Sequence, residues 1–410
     1  MTLHDVILGG TKREKLQQGW SPQCEAYAAS EGEWGVLKTT AIQAGHFLSD
    51  ENKRLPSELI PRQHLEVKAG DLLLTCAGPR SRCGVPTLVK STRARNLISG
   101  KMYRFRSDPS LMDPLFLQYY LLSPEAQRAI DLMKTGISES GLNLTKDRFL
   151  ALPVPVMALA EQARVVERLE DHLSRLDVAT EYLRRSEQRS EIFADATIVS
   201  ALGNHRASMI PLDTLLAEKP TNGKSVPTRA GGFPVLRLTA MKDGVVALDE
   251  RKEGAWTASE ASPFRVRKDD VFVARGNGSI RLVGRAARVL EQPDDVAYPD
   301  TMIRIRVDTS IIRPDYFVRV WNSRAVRRQI EATARTTAGI YKVNQGDLRG
   351  IQIPFVPLAQ QGELETTWRD QLSDAARVLL ALRKARRRAA SLRRSVLTSA
   401  FSEPTLGSAA

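Results

Sequence analysis

The chain has 410 residues, 42% of them hydrophobic, which is enough apolar material for several true cores. Sixty Lys and Arg against 47 Asp and Glu give a formal net charge of +13, which points to a polyanionic partner, nucleic acid foremost. No apolar run of about 18 residues occurs, so no membrane span is expected, and Cys24, Cys76 and Cys83 form no CxxC pair or Cys/His metal spacing, which fits a reducing, cytoplasmic setting.

In chain order, Met1-Thr2-Leu3-His4-Asp5 lacks a charged stretch followed by an apolar run, so no signal peptide is expected. Residues 1–156 read as a strand-rich domain, with short apolar runs such as Leu72-Leu73-Leu74 bounded by Gly and Pro, and with helical spacing from Leu115 to Ile130. Residues 157–203 read as one long helix, because no Gly or Pro interrupts Leu159 to Leu202. Residues 204–355 repeat the first plan, with Asp270-Val271-Phe272-Val273 as the matching strand and Asp315 to Ile330 as the matching helix. Residues 356–402 read as a second long helix, and 403–410 as a flexible tail.

The second half matches the first at a nearly constant offset. Leu159-Ala160-Glu161-Gln162 returns as Leu358-Ala359-Gln360-Gln361, and Val67 to Asp71 as Val266 to Asp270, both at 199; Tyr103-Arg104-Phe105-Arg106 returns as Ile303-Arg304-Ile305-Arg306 at 200. A repeat of this size is a whole domain plus a helix, not a solenoid unit. It predicts two similar binding events.

Leu169, Leu173, Leu176 and Leu183 on the first long helix, and Trp368, Leu372, Leu379, Leu382 and Leu392 on the second, step by threes and fours, the seam of a coiled coil or of a partner interface. Residues 159–181 carry six acids and three Arg, whereas 383–394 carry seven bases and no acid. An antiparallel pair sets those two stretches side by side. The expected fold is therefore α+β: two globular, strand-rich α/β domains separated by two long helices in an antiparallel coiled coil, a tandem duplication with a pseudo-two-fold axis. On duplex DNA such a molecule reads two half-sites on oppositely oriented strands.

Enzyme signatures are missing. Gly223-Lys224-Ser225 has Glu218 where a phosphate-binding loop places its first Gly; no Asn/Asp-Pro-Pro-aromatic run of the amino-methyltransferase kind occurs; and the five histidines are scattered. Two kinds of loop stand out instead. One follows the apolar strand: Arg275-Gly276-Asn277-Gly278-Ser279-Ile280-Arg281, and its first-half equivalent Cys76 to Arg82. There glycines permit close backbone approach, and Arg or Asn reads a base edge bidentately. The other precedes each long helix, Thr135 to Lys146 and Thr336 to Lys342, with hydroxyl groups and Lys suited to phosphates. With the strand ends at Lys38-Thr39 and Arg237, the candidate DNA-binding residues are Lys38, Thr39, Arg80, Arg82, Lys146, Arg237, Arg275, Asn277, Ser279, Arg281, Tyr341 and Lys342. No catalytic or metal-binding residue is expected.

Gly19-Trp20-Ser21-Pro22-Gln23-Cys24, Trp34-Gly35-Val36-Leu37-Lys38, Arg275-Gly276-Asn277-Gly278-Ser279 and the duplicated Leu-Ala-Glu/Gln-Gln start of each helix, with a proline shortly before it, in this order, resemble the DNA-specificity (S) subunit of type I restriction-modification systems over essentially the whole chain. The resemblance implies a non-catalytic subunit with two target-recognition domains, each reading one half of a bipartite, asymmetric site. It implies that the two helices act as a ruler and dock two methyltransferase (M) subunits. S-adenosylmethionine belongs to those partners, ATP and Mg to a further restriction (R) subunit where one joins, and no cofactor to this chain. The alternative reading is a basic coiled-coil scaffold that binds nucleic acid without sequence specificity.

Overall fold

The structure, a computed structural model, describes residues 1–8, 15–136, 141–337 and 340–402. The expected tail at 403–410 lies outside the described residues, as do Ile137 to Ser140 of the candidate phosphate loop. Two compact units emerge: Met1–Leu183 with Lys384–Ala410, and Arg184–Arg383. Each contains a globular domain and a stretch of both long helices.

In the first unit, strands Gln17–Gln18, Met102–Phe105, Leu72–Thr75 and Pro86–Leu88 pair in that order, all antiparallel. Every residue of Leu72–Thr75 is buried because the strand divides two cores. Leu72 and Leu74 face a cluster with Phe105, Phe116 and Ile130, while Leu73 faces one with Val36, Leu97 and Met102, the alternation a strand imposes. The second unit repeats this: Val271 and Val273 join Ile305, Phe317 and Trp321, and Phe272 joins Leu236, Tyr298 and Met302. Its sheet has six strands, in the order Leu216–Asn222, Met302–Val307, Val271–Ala274, Ala286–Arg288, Val245–Val246, Met241–Lys242.

The repeated Val67–Asp71 and Val266–Asp270 segments owe their likeness to one buried carboxylate. Asp71 accepts from the Lys68 backbone N–H and from Arg106 Nε, each at 2.8 Å; Asp270 accepts from Arg267 N–H at 2.8 Å and from Arg306 Nε at 2.5 Å. A buried carboxylate needs such partners, so the acid and its arginine recur together.

Two expected helices are each broken in two. Leu115 to Ile130 forms Pro114–Leu122 and Pro124–Met133. Pro124 cannot donate to the preceding turn, and Ser123 Oγ caps the new helix by accepting from Ala126 N–H at 3.2 Å. Asp315 to Ile330 forms Pro314–Trp321 and Arg324–Thr333 without a proline. There the Asn322 amide bonds both the N–H and C=O of Ala286, and Ser323 Oγ donates to Val320 O, a side-chain alternative to continuing the helix.

The long helices span Leu159–Asn204 and Leu358–Ser402. In each unit their segments run antiparallel. In the first, Leu169, Leu173 and Leu176 share a core with Val396, Leu397, Ala400 and Phe401, and Arg393 Nη1 bonds Asp177. In the second, Ile198 and Leu202 share a core with Leu364, Trp368 and Leu372, Ser190 Oγ donates to Ala375 O at 3.4 Å, and Arg383 lies 3.9 Å from Glu191. Leu183, Leu379 and Leu382 are half-buried. Leu392 departs from the expected seam: it is 53% exposed, and the half-buried Arg393 beside it takes the inward position.

The Gln of each Leu-Ala-Glu/Gln-Gln motif is fully buried and fastens the helix to its own domain. Gln162 accepts from Asp113 N–H and donates to Leu111 O and Met157 O. Gln361 accepts from Arg313 N–H and donates to Ile311 O and Val356 O. The motif is repeated because this three-way clasp is.

Candidate nucleic-acid interface

The two kinds of candidate loop, separate in the sequence, form one small sheet in each unit. Ala77–Gly78 pairs antiparallel with Leu142–Asn143, and Asn143 also bridges to Thr135. Gly276–Asn277 pairs with Ile340–Lys342, which pairs with Arg335–Thr337.

The slip in the repeat offset lies inside these loops. Gly84 N–H donates to Thr75 O and Gly284 N–H to Ala274 O, both at 2.7 Å, so the two loops close on the same bond. Both glycines have left-handed φ, 85° and 71°, and an added Cβ would lie 2.4 and 2.3 Å from Cγ2 of Ile130 and Ile330. Thr75 and Ala274 differ by 199 and Gly84 and Gly284 by 200, so the second loop is one residue longer. The return loop compensates: eight positions separate Thr135 from its partner Asn143, but seven separate Arg335 from Lys342. The framework is held and the tips change length.

In the first unit the loop cations are tied back. Arg80 Nη1 lies 2.6 Å from Asp131 Oδ2, and Lys134 lies 2.9 Å from the same carboxylate. Lys134 and then Arg80 hold the Asp131 carboxyl below its usual range. Arg82 Nη1 donates to Thr39 O at 3.3 Å. Lys38 Nζ lies 2.8 Å from Glu51, which also accepts from Thr40 Oγ1, and these two bonds lower the Glu51 pKa. Lys146 is half-buried at the start of the short helix Lys146–Leu150. Cys76 and Cys83 sit in the core beneath, where burial pushes the Cys76 thiol up to about 12 and raises that of Cys83.

In the second unit Arg275 Nη1 donates to Asp300 O at 3.2 Å, and Asn277 Oδ1 accepts from Ser279 N–H at 3.0 Å, an Asx turn. Ser279 O receives Leu282 and Val283 N–H. Tyr341 packs on the core. Arg281 and Lys342 are exposed, with no side-chain partner among the described residues. Arg237 is exposed and Nε donates to Arg251 O at 3.4 Å.

Sequence reasoning missed Glu51 and Glu250. Glu250 accepts from Lys242 at 2.8 Å and Thr239 at 3.2 Å, bonds that lower its pKa, Lys242 contributing most. Thr40/Thr239 and Glu51/Glu250 both recur at 199, a signal available in the repeat. Among the described residues no group of three His, Cys, Asp or Glu is placed to hold a metal, and no helix is long and apolar enough to cross a membrane.

Two repeated α/β units, each carrying a small variable sheet and part of a long helix pair, define a two-site recognition architecture. No family model matches the chain. It is 34% identical over 188 residues to the type I restriction enzyme EcoEI specificity subunit of Escherichia coli, covering 46% of this chain and 32% of that protein. It is 22% identical over 383 residues to the StySPI specificity subunit of Salmonella potsdam, covering 89% of this chain and 81% of that one. A solved chain from work on complex assembly and conformational transition of the type I R-M system has the same fold, with a TM-score of 0.54 at 15% identity, over 98% of this chain and 96% of that one. The proteins it resembles are specificity subunits of type I restriction enzymes, and the chain spans about a third of the first of them and four fifths of the second.

Proposed function

We propose that the chain is the DNA-recognition subunit of a type I restriction-modification complex, without catalytic activity of its own. Each unit reads one half of a bipartite, asymmetric duplex site through its small sheet and the adjoining strand ends. The observation that carries this reading is the pattern of the repeat: the buried framework is kept, while the loops change in residue and in length. A repeated scaffold with unlike tips suits two unlike half-sites. The long helices offer the surface on which two methyltransferase subunits dock. Those partners hold S-adenosylmethionine and flip the target base, and a restriction subunit, where present, brings ATP and Mg. The complex works in the cytoplasm.

Methylome sequencing of cells co-expressing the chain with its cognate methyltransferase subunit tests the proposal. The expected result is methylation on one bipartite motif with a fixed gap, and none with either protein alone. Methyl transfer by the purified chain alone, or methylation of a single uninterrupted motif, would overturn it.

A further inference from the structure

The first unit contains a groove of about 290 Å³ next to the candidate strand end Lys38-Thr39; Ser21, Lys38, Thr39, Lys53, Ser99 and Lys101 are among the residues lining it. Ser99 is 8% exposed, and its hydroxyl is buried with no hydrogen-bond partner in the structure. A buried hydroxyl left this way loses its hydration without compensation, which marks the groove as built for a group that pairs with it. Lys53 and Lys101 are exposed and have no side-chain partner among the described residues. Lys38, on the same groove, is the lysine whose charge Glu51 partly offsets. A hydroxyl donor and two ammonium groups lining one groove suit an oxyanion.

The second unit does not keep the three proposed donors in this arrangement. Ser99 corresponds to Pro299, which offers no side-chain donor, and Lys101 to Thr301, both at 200. Lys53 corresponds at 199 to Lys252, whose Nζ is spent on Val226 O at 2.7 Å. The contrast argues against a framework role, since framework residues recur in this chain.

The structure assigns to this groove, in the first unit only, a binding site for a phosphate oxyanion of the DNA backbone, with Ser99, Lys53 and Lys101 as its donors. The assignment rests on the DNA-recognition reading above. It places the first unit's phosphate contacts in the groove beside the Lys38-Thr39 strand end, where Thr39 O accepts from Arg82.

The test follows binding of the full chain to a fluorescein-labelled random 40-base-pair duplex by anisotropy across a salt series. Each phosphate contact contributes about 0.9 to the slope of log Kobs against log[salt]. K53A/K101A is expected to reduce the slope by about 2, K53R/K101R to restore it, and K252A to leave it at the wild-type value. S99A is expected to weaken binding several-fold without changing the slope. An unchanged slope in K53A/K101A, with wild-type circular dichroism and melting, overturns the inference while leaving the DNA reading intact. Absence of salt-dependent duplex binding by the wild-type chain instead overturns the DNA reading itself. Lysine acylation mapped by mass spectrometry separates the sources of phosphate: the duplex should protect Lys53 and Lys101, and inorganic phosphate at the same phosphate concentration should not. Equal protection by inorganic phosphate makes the groove a small-anion site and overturns the assignment to DNA.

Discussion

Gln162 and Gln361 show how single side chains fasten each domain to its helix. Each makes three hydrogen bonds to backbone groups and is fully buried. Gln162→Leu keeps the volume but strips partners from Asp113 N–H, Leu111 O and Met157 O, and each orphaned buried group costs roughly 1–3 kcal/mol. The expected outcome is a loss of at least about 2 kcal/mol in urea unfolding, with Gln162→Glu recovering little because a carboxylate cannot donate. A loss below about 0.5 kcal/mol would refute the clasp. At the same scale the limits of the sequence are clear. The Gln could be recognised as repeated, but the groups it would bond lie about 50 residues upstream in the chain. Glu51 likewise reads as one more surface acid until the fold sets it against Lys38 and Thr40.

Elements were more legible than residues where one local force dominates. The long helices follow from the absence of Pro and the near-absence of Gly, Gly203 and Gly362 apart, and from their charge asymmetry, and the two-sided strands from continuous apolar runs. The broken helices were less legible, because the break in the second unit comes from Asn322 bonding Ala286, a partner 36 residues away. The pairing of the two loops into one sheet depends on backbone hydrogen bonds that carry no residue code. The seam went wrong at one step. Choosing Leu392 follows hydropathy, whereas the helix turns Leu397 inward, at 5% exposure, and uses Arg393 to meet Asp177. Alanine substitution separates the two registers. Leu397→Ala should cost about 2–5 kcal/mol as a buried leucine, and Leu392→Ala no more than about 0.5 kcal/mol as a surface change. Equal costs would mean that the seam runs through Leu392 after all.

The whole molecule is a duplication whose halves have diverged in charge as well as in loop length. Residues 1–156 hold 20 basic and 16 acidic residues, a net of +4, whereas 204–355 hold 25 and 17, a net of +8. At the loops the difference is starker: Asp131 holds Arg80 and Lys134, but the corresponding positions around Glu331 are Ile280 and Ala334, and Glu331 pairs with Arg327 instead. In the proposed reading Arg281 and the Asn277 amide meet a base edge, where one bidentate pair discriminates by about 1–3 kcal/mol. Because Arg281 and Asn277 belong to one unit, N277A/R281A should relax recognition at one half-site by about 10- to 100-fold for each base-reading side chain removed, while the base preference at the other half-site stays as in the wild type. Scoring methylation by the reconstituted complex on a library randomised at both half-sites reads the two preferences independently. A uniform loss at both would mean that these side chains hold the fold or grip phosphates instead of reading bases, and a shift in both motifs would mean that the two units do not recognise DNA separately.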